Sequence, residues 1–320
     1  MHLLINNNKF LKTVLFILCI LGCIELVAQK KQGDDSLYIK NFSHQNSIQF
    51  FTGKWSRKFL IPIQFENRRV SHVFFPNNGI YNGIFLSYKW FSIAYSIKSS
   101  IIAPYPSLKG LKADNLNLFK FWDHFGVNFD KVKMEGLLYR QNRYKKSLQV
   151  LKNLKYVSYT TDFYYFFNKR YSYRASAFSS KKQLKSAGSP IIIVSPSINK
   201  IYSSTTSDSI PTRIRANVLF EDPKWFSMRS AIGYGYNLSL YKGKFIVNPS
   251  VFYNLVFNNR NNSHSVKFSD GFRFSINAGY HGDKYFGLIN ANVDKYKNKF
   301  SKGYFEQLNS DVSLSVGLRF

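Results

Sequence analysis

The last ten residues, Asp311-Val-Ser-Leu-Ser-Val-Gly-Leu-Arg-Phe320, alternate without a break. Val312, Leu314, Val316, Leu318 and Phe320 share one parity, and Asp311, Ser313, Ser315, Gly317 and Arg319 share the other. Alternation of period two is the mark of a strand with two unlike faces. The final third repeats it. Ile232, Tyr234, Tyr236, Leu238 and Leu240 make one apolar face, and Phe245, Val247, Val251, Tyr253 and Leu255 the next. Phe272, Phe274, Ile276, Ala278 and Tyr280 follow, then Tyr285, Gly287, Ile289, Ala291 and Val293, with turns at Lys242-Gly243 and His281-Gly282-Asp283. Pro249 departs from the run and predicts a bulge. These runs match the roughly 9–11 residues that a tilted strand needs to cross hydrocarbon. An apolar terminal strand on an open sheet would be a free edge, whereas a closed barrel has none. The pattern therefore predicts an all-β fold, a transmembrane antiparallel up-and-down β-barrel with its apolar parity toward lipid and its polar parity toward the lumen.

Further strands are expected upstream at Ser47–Trp55, Arg57–Glu66, Gly79–Tyr88, Phe91–Lys98, Asn115–Trp122 and Phe125–Met134, the last two with poor alternation. Residues 135 to 156 are basic and read as a solvated loop. Val157–Phe167 and Tyr171–Ser180 flank Asn168-Lys169-Arg170, a strand is expected from Ser189 to Tyr202, and the Ser/Thr-rich run 203–209 is a loop signal. The count is about fourteen strands, within a range of about 12–16. One inconsistency stands out. Counted back from Phe320, the tight turns at 281–283 and 241–243 are periplasmic, but those at 168–170, 123–124 and 89–90 come out external. A further strand at Arg213–Phe220 is one way to mend the phase.

Residues 1–28 read as a signal peptide: Lys9 and Lys12, an apolar run from Thr13 to Ile24, and cleavage after Ala28. Residues 29–46 are then an N-terminal periplasmic segment and 47–320 the outer-membrane barrel. The apolar run is shorter than the roughly twenty residues of a membrane helix. Both cysteines, Cys19 and Cys23, lie within it, so the mature chain has none; Ile20-Leu21-Gly22-Cys23 is the alternative, a lipidation site at Cys23. Five further histidines, His44, His72, His124, His264 and His281, lack metal-ligand spacing, and no metal or cofactor is expected.

Composition sharpens the picture. Phe, Tyr and Trp make 18% of the chain, yet mean hydropathy is slightly negative, as aromatic girdles around a polar lumen would give. The formal charge of +28 calls for an anionic partner or a solvated surface. An exported barrel excludes nucleic acid as that partner and leaves lipid phosphates at the rim or anionic solutes in the lumen.

The alternating ending with its terminal aromatic is similar to the carboxy-terminal signal of bacterial outer-membrane barrels, which implies recognition of Val312, Leu314, Val316, Leu318 and Phe320 by the barrel-insertion machinery. Tyr171-Ser-Tyr-Arg-Ala-Ser-Ala-Phe178 and Lys185-Ser-Ala-Gly-Ser189 resemble the signature of a family of Bacteroidetes outer-membrane proteins, domain of unknown function 4421. Tyr38-Ile39-Lys40, Phe75-Pro76-Asn77, Tyr88-Lys89-Trp90 and Ser207-Asp-Ser-Ile-Pro211 fit in order. The resemblance implies a barrel in the cell outer membrane and supplies no catalytic residues.

Arg174, Arg229, Arg273 and Arg319 lie on the parity opposite the lipid-facing series and are the lumen candidates. They would either select anions or pair with Asp162, Asp294 or Asp311 as a structural plug. Ser186-Ala-Gly-Ser189 lacks the frame of a nucleophile elbow and reads as a turn. The leading functional expectation is a channel or transport barrel with a basic, anion-favouring lumen. The alternatives are a closed structural or surface-interaction barrel that binds lipid phosphates, and a membrane-embedded hydrolase.

Overall fold

The computed structural model describes residues 37–65, 68–77, 80–88, 91–98, 111–141, 148–178, 180–203, 224–260, 266–300 and 303–320. The strands are β1 (Ile39–Asn41), β2 (Ser47–Phe65), β3 (Arg68–Phe75), β4 (Tyr81–Tyr88), β5 (Phe91–Lys98), β6 (Lys112–Phe121), β7 (Phe125–Gln141) and β8 (Leu148–Phe166). After a short helix α1 (Tyr173–Phe178) come β9 (Lys181–Gln183), β10 (Ala187–Ser203), β11 (Lys224–Leu240), β12 (Phe245–Arg260), β13 (Lys267–His281), β14 (Tyr285–Phe300) and β15 (Gly303–Arg319).

Among the described residues, all the strands but β1 and β9 join one antiparallel sheet of thirteen strands. It closes where β15 pairs with β2, Arg319 opposite Ser47 and Glu306 opposite Leu60. The alternation of the sequence becomes two faces. Ile232, Val251, Phe272, Ile289, Val312 and Val316 are exposed outward, while Asn237, Asn248, Asn254, Ser313 and Ser315 are buried inward. An apolar exterior on a closed ring is stable in hydrocarbon, where every backbone group must be bonded internally. Short turns at 122–124, 241–244 and 282–284 share the end of the barrel at which the ring closes through Arg319 and Ser47, and this is the periplasmic end.

The ring has two tiers. On the side of β2 away from β15, residues 47–53 pair with β4 and residues 59–65 with β3. On β7, residues 126–135 pair with β6 and residues 138–141 with β3, across a register shift between Glu135 and Leu137 where Gly136 takes a φ of 76°. The periplasmic tier is therefore β2, β4, β5, β6, β7, β8 and β10 to β15, twelve strands. The outer tier replaces β4, β5 and β6 with β3 alone and has ten. The odd total of thirteen arises because β3 and β4 are two lengths of one return strand. Pro76, which cannot donate to a ladder, lies at the break.

Several expectations are corrected. Ser47–Trp55 and Arg57–Glu66 are a single strand, β2, up to Phe65. Much of the basic stretch 135–156 belongs to β7 and β8 rather than to a loop. Tyr171–Ser180 is not a strand: Ser172 caps α1, its hydroxyl and carbonyl both accepting from the Ala175 N–H. Removing that false strand returns the turns at 168–170 and 123–124 to the periplasmic end, so the phase is mended without Arg213–Phe220, which lies outside the described residues with Lys89-Trp90 and His264. Pro249 makes no bulge. The β11–β12 ladder skips it but resumes in register, Gly235 opposite Ser250 and Leu238 opposite Val247.

Candidate functional site

Inward-facing side chains divide the lumen into three layers. The ten-strand tier is narrow enough for wall side chains to meet across it. Phe59 on β2 lies 5.0 Å from Tyr156 on β8, and Trp225 on β11 lies 5.5 Å from Phe305 on β15 (ring centroids). Phe59 is also 6.1 Å from Phe305, and Tyr156 is 6.3 Å from Trp225. These four rings bridge opposite walls, and Met134, Leu137, Leu154, Ile201 and Phe300 pack around them. Eight of the nine are 2% exposed or less, and Phe300 is 7% exposed.

The twelve-strand tier is too wide to fill this way, since only about eight strands give an interior that wall side chains can fill. Here the segment between β8 and β10 folds inward as a plug. Tyr171, Tyr173 and Phe178 pack against Phe119, Phe121, Tyr164 and Phe166 of the wall, with Phe119 and Phe178 stacked at 4.5 Å. Burial pushes the Tyr171 and Tyr173 phenols up and the Arg174 guanidinium down from their ordinary values. Gln183 on β9 is the fastener. Its amide nitrogen donates to the carbonyls of Arg170 (2.7 Å) and Lys185 (2.9 Å), and its oxygen accepts from the Ser172 N–H and from Asn237 of the wall at 3.0 Å. Asn237 in turn accepts from Asn248, which also donates to the Tyr171 hydroxyl. β1 pairs with β9, which joins the chain ahead of the barrel to the same plug.

Between the two apolar layers lies a polar cavity of about 350 Å³. Its charged lining is Arg57, Arg229 and Arg273 against Asp130, Asp162 and Asp294, three of each sign. Asp294 is the centre of the cluster. It receives Arg229 at 2.6 Å, Arg273 at 3.3 Å and the Asn254 amide at 3.1 Å. Arg229 also approaches Asp162 at 4.0 Å and stacks over Tyr296.

The four arginines picked from the sequence thus separate. Arg229 and Arg273 face the lumen and share Asp294. Arg319 faces inward at the periplasmic rim, donating to the Gly282 carbonyl between the rings of Phe42 and Phe286. Arg174 is not in the wall; it rides on α1, its Nε donating to the Ser180 hydroxyl. Sequence reasoning missed Arg57, whose strand was divided beside it, and Gln183, which falls in a three-residue strand. Ser186, just ahead of β10, and Ser189 within it latch the plug rather than forming a free turn: the Ser186 hydroxyl accepts from Ser239 N–H and that of Ser189 from Asn168 N–H. Val312, Leu314, Val316 and Phe320 are exposed on the lipid face. Among the described residues no group of three His, Cys, Asp or Glu is placed to hold a metal ion.

A family model described as Domain of unknown function (DUF4421) matches residues 33–320. Among curated proteins, none matches the sequence. Solved structures similar to this chain include a bacterial polysaccharide outer membrane secretin, 8% identical over 87% of this chain and 99% of that one, with a TM-score of 0.40. The outer membrane protease OmpT from Escherichia coli is 9% identical over 87% and 98%, with a TM-score of 0.38. The translocator domain of autotransporter NalP from Neisseria meningitidis is 9% identical over 86% and 88%, with a TM-score of 0.40.

Proposed function

The chain belongs to the DUF4421 family, and we propose that it serves the outer membrane as a closed barrel that works at its surface rather than through its lumen. The observation that carries this is the pair of apolar layers in series, the bridging rings of the outer tier and the plug of the inner one, with a charge-balanced cavity between them. An anion-favouring pore needs a wet path and a surplus of positive charge along it. The described lumen supports neither: Arg229 and Arg273 are bound to Asp294, and the lining charges cancel.

Among the described residues, lysines stand outside. Lys54 and Lys58 on β2, Lys200 on β10 and Lys297 and Lys299 on β14 share the outward parity and sit beyond the apolar positions Phe50, Ile192 and Val293 toward the outer end. A collar of lysines above an apolar belt fits the phosphates of outer-leaflet lipids, each residue adding roughly 1 kcal/mol near an anionic surface. Planar bilayers provide the test. The refolded barrel is expected to be silent under a salt gradient, and steady conductance from folded protein would overturn the closed-lumen reading.

A further inference from the structure

The lipid-facing wall is not evenly filled. Near the periplasmic rim an apolar groove of about 570 Å³ opens across β11 to β15, between Tyr241 and Phe245 on one side and Ile289 and Leu314 on the other. Its floor is Ala278 and Gly287. Register explains the opening. Gly287 is flanked by Tyr280 and Val316, and Ala278 by Val247 and Ile289, so two small residues lie diagonally among bulky ones.

Packing does not require the glycine. A Cβ at position 287 would meet only the Ser315 carbonyl oxygen, at 3.5 Å, whereas one at Gly271 or Gly317 would strike neighbours at 2.4 or 2.3 Å. Glycine within a strand weakens it, so at 287 the sequence keeps an empty slot at some expense to the sheet.

The slot opens beneath positive charge. Lys242 and Lys244 in the turn 241–244 and Lys284 in the turn 282–284 are all exposed. The His281 N–H donates to the Lys244 carbonyl at 2.7 Å and holds the two turns side by side. Their one acid, Asp283, lies 3.6 Å from Lys182. A hydrocarbon-shaped slot that ends at headgroup depth under three lysines has the form of a phospholipid site.

We propose that this groove holds one anionic phospholipid of the inner leaflet, an acyl chain over Gly287 and Ala278 and its phosphate among Lys242, Lys244 and Lys284. The site is separate from the lumen and from the outer lysine collar, so it stands or falls independently of the closed-barrel reading. Native mass spectrometry of the full barrel, offered equal phosphatidylglycerol and phosphatidylcholine, reads it directly. Wild type is expected to retain one phosphatidylglycerol with a preference on the order of a hundredfold, about fivefold for each of the three lysines, and the Lys242→Gln/Lys244→Gln/Lys284→Gln variant to approach parity. Gly287→Leu fills the slot and is expected to lose the adduct while unfolding at the wild-type temperature, because its side chain enters open space. Equal retention of the two lipids by wild type, an undiminished preference for phosphatidylglycerol in the lysine variant, an adduct retained by Gly287→Leu, or displacement of the lipid by excess inorganic phosphate would each overturn the proposal.

Discussion

Asp294 shows how much depends on a single side chain in this lumen. It is buried with two arginines and an amide converging on it. Removing one member of such a cluster leaves uncompensated charge in a poorly solvated place. Asp294→Ala is therefore expected to lower stability by about 3–5 kcal/mol, measured by urea unfolding of the refolded barrel in micelles. A loss within about 1 kcal/mol would mean that the arginines find solvent. Gln183→Ala strands the Ser172 N–H and removes one of the two acceptors of the Asn237 amide, and about 1–3 kcal/mol should be lost in the same assay. The inward direction of Arg229 and Arg273 was legible in the sequence because each sits opposite an apolar parity. Their shared partner was not, since Asp294 lies 65 residues from Arg229 and meets it only across the closed ring. Arg174 misled for a local reason: Tyr171, Tyr173, Ala175 and Ala177 alternate with Ser172, Arg174 and Ser176 as a strand would, and the Ser172 cap that turns the segment into a helix is a one-residue signal.

At the scale of elements, two apolar layers in series behave differently from one. Replacing residues 171–183 with a short Gly/Ser linker is expected to leave the barrel silent in planar bilayers, because the bridging rings remain. Trp225→Ala/Phe305→Ala is expected to be silent as well, because the plug remains. Conductance should appear only when the two changes are combined. Conductance from either change alone would show that one layer carries the whole barrier. The late strands were legible because Ser, Asn and Gly recur along their inward faces, as at Ser227, Asn237, Asn248, Ser250, Asn254, Asn277, Ser313 and Ser315, so the alternation reads clearly. β6 and β7 were indistinct because Ala113, Phe121, Val132 and Met134 face inward into the apolar layers and erase the contrast between faces. The basic run at 135–156 passed for a loop because Lys152 and Lys155 belong to wall beyond the lipid belt, where outward residues meet headgroups and water.

Among the described residues, charge is sorted by surface: the cavity's lining charges balance, while lysines stand on the outward parity of β2, β10 and β14. The Lys54→Gln/Lys58→Gln/Lys297→Gln/Lys299→Gln variant should bind vesicles containing phosphorylated lipid A more weakly than wild type, and its binding should fall less steeply with added salt. Identical salt curves would place the lipid contacts elsewhere. Composition gave the sum of the charge but no hint of this sorting, which depends on which parity of each strand faces lipid.

The step from twelve strands to ten also gives the barrel a profile. Barrel diameter grows roughly in proportion to strand number, so the outer tier is narrower than the periplasmic tier by about a sixth. Tapered bodies packed side by side touch along their broad ends and stand apart at their narrow ones. In a crowded membrane such barrels would leave wedge-shaped clearances toward the outside, where bulky headgroups need more room than the chains beneath them.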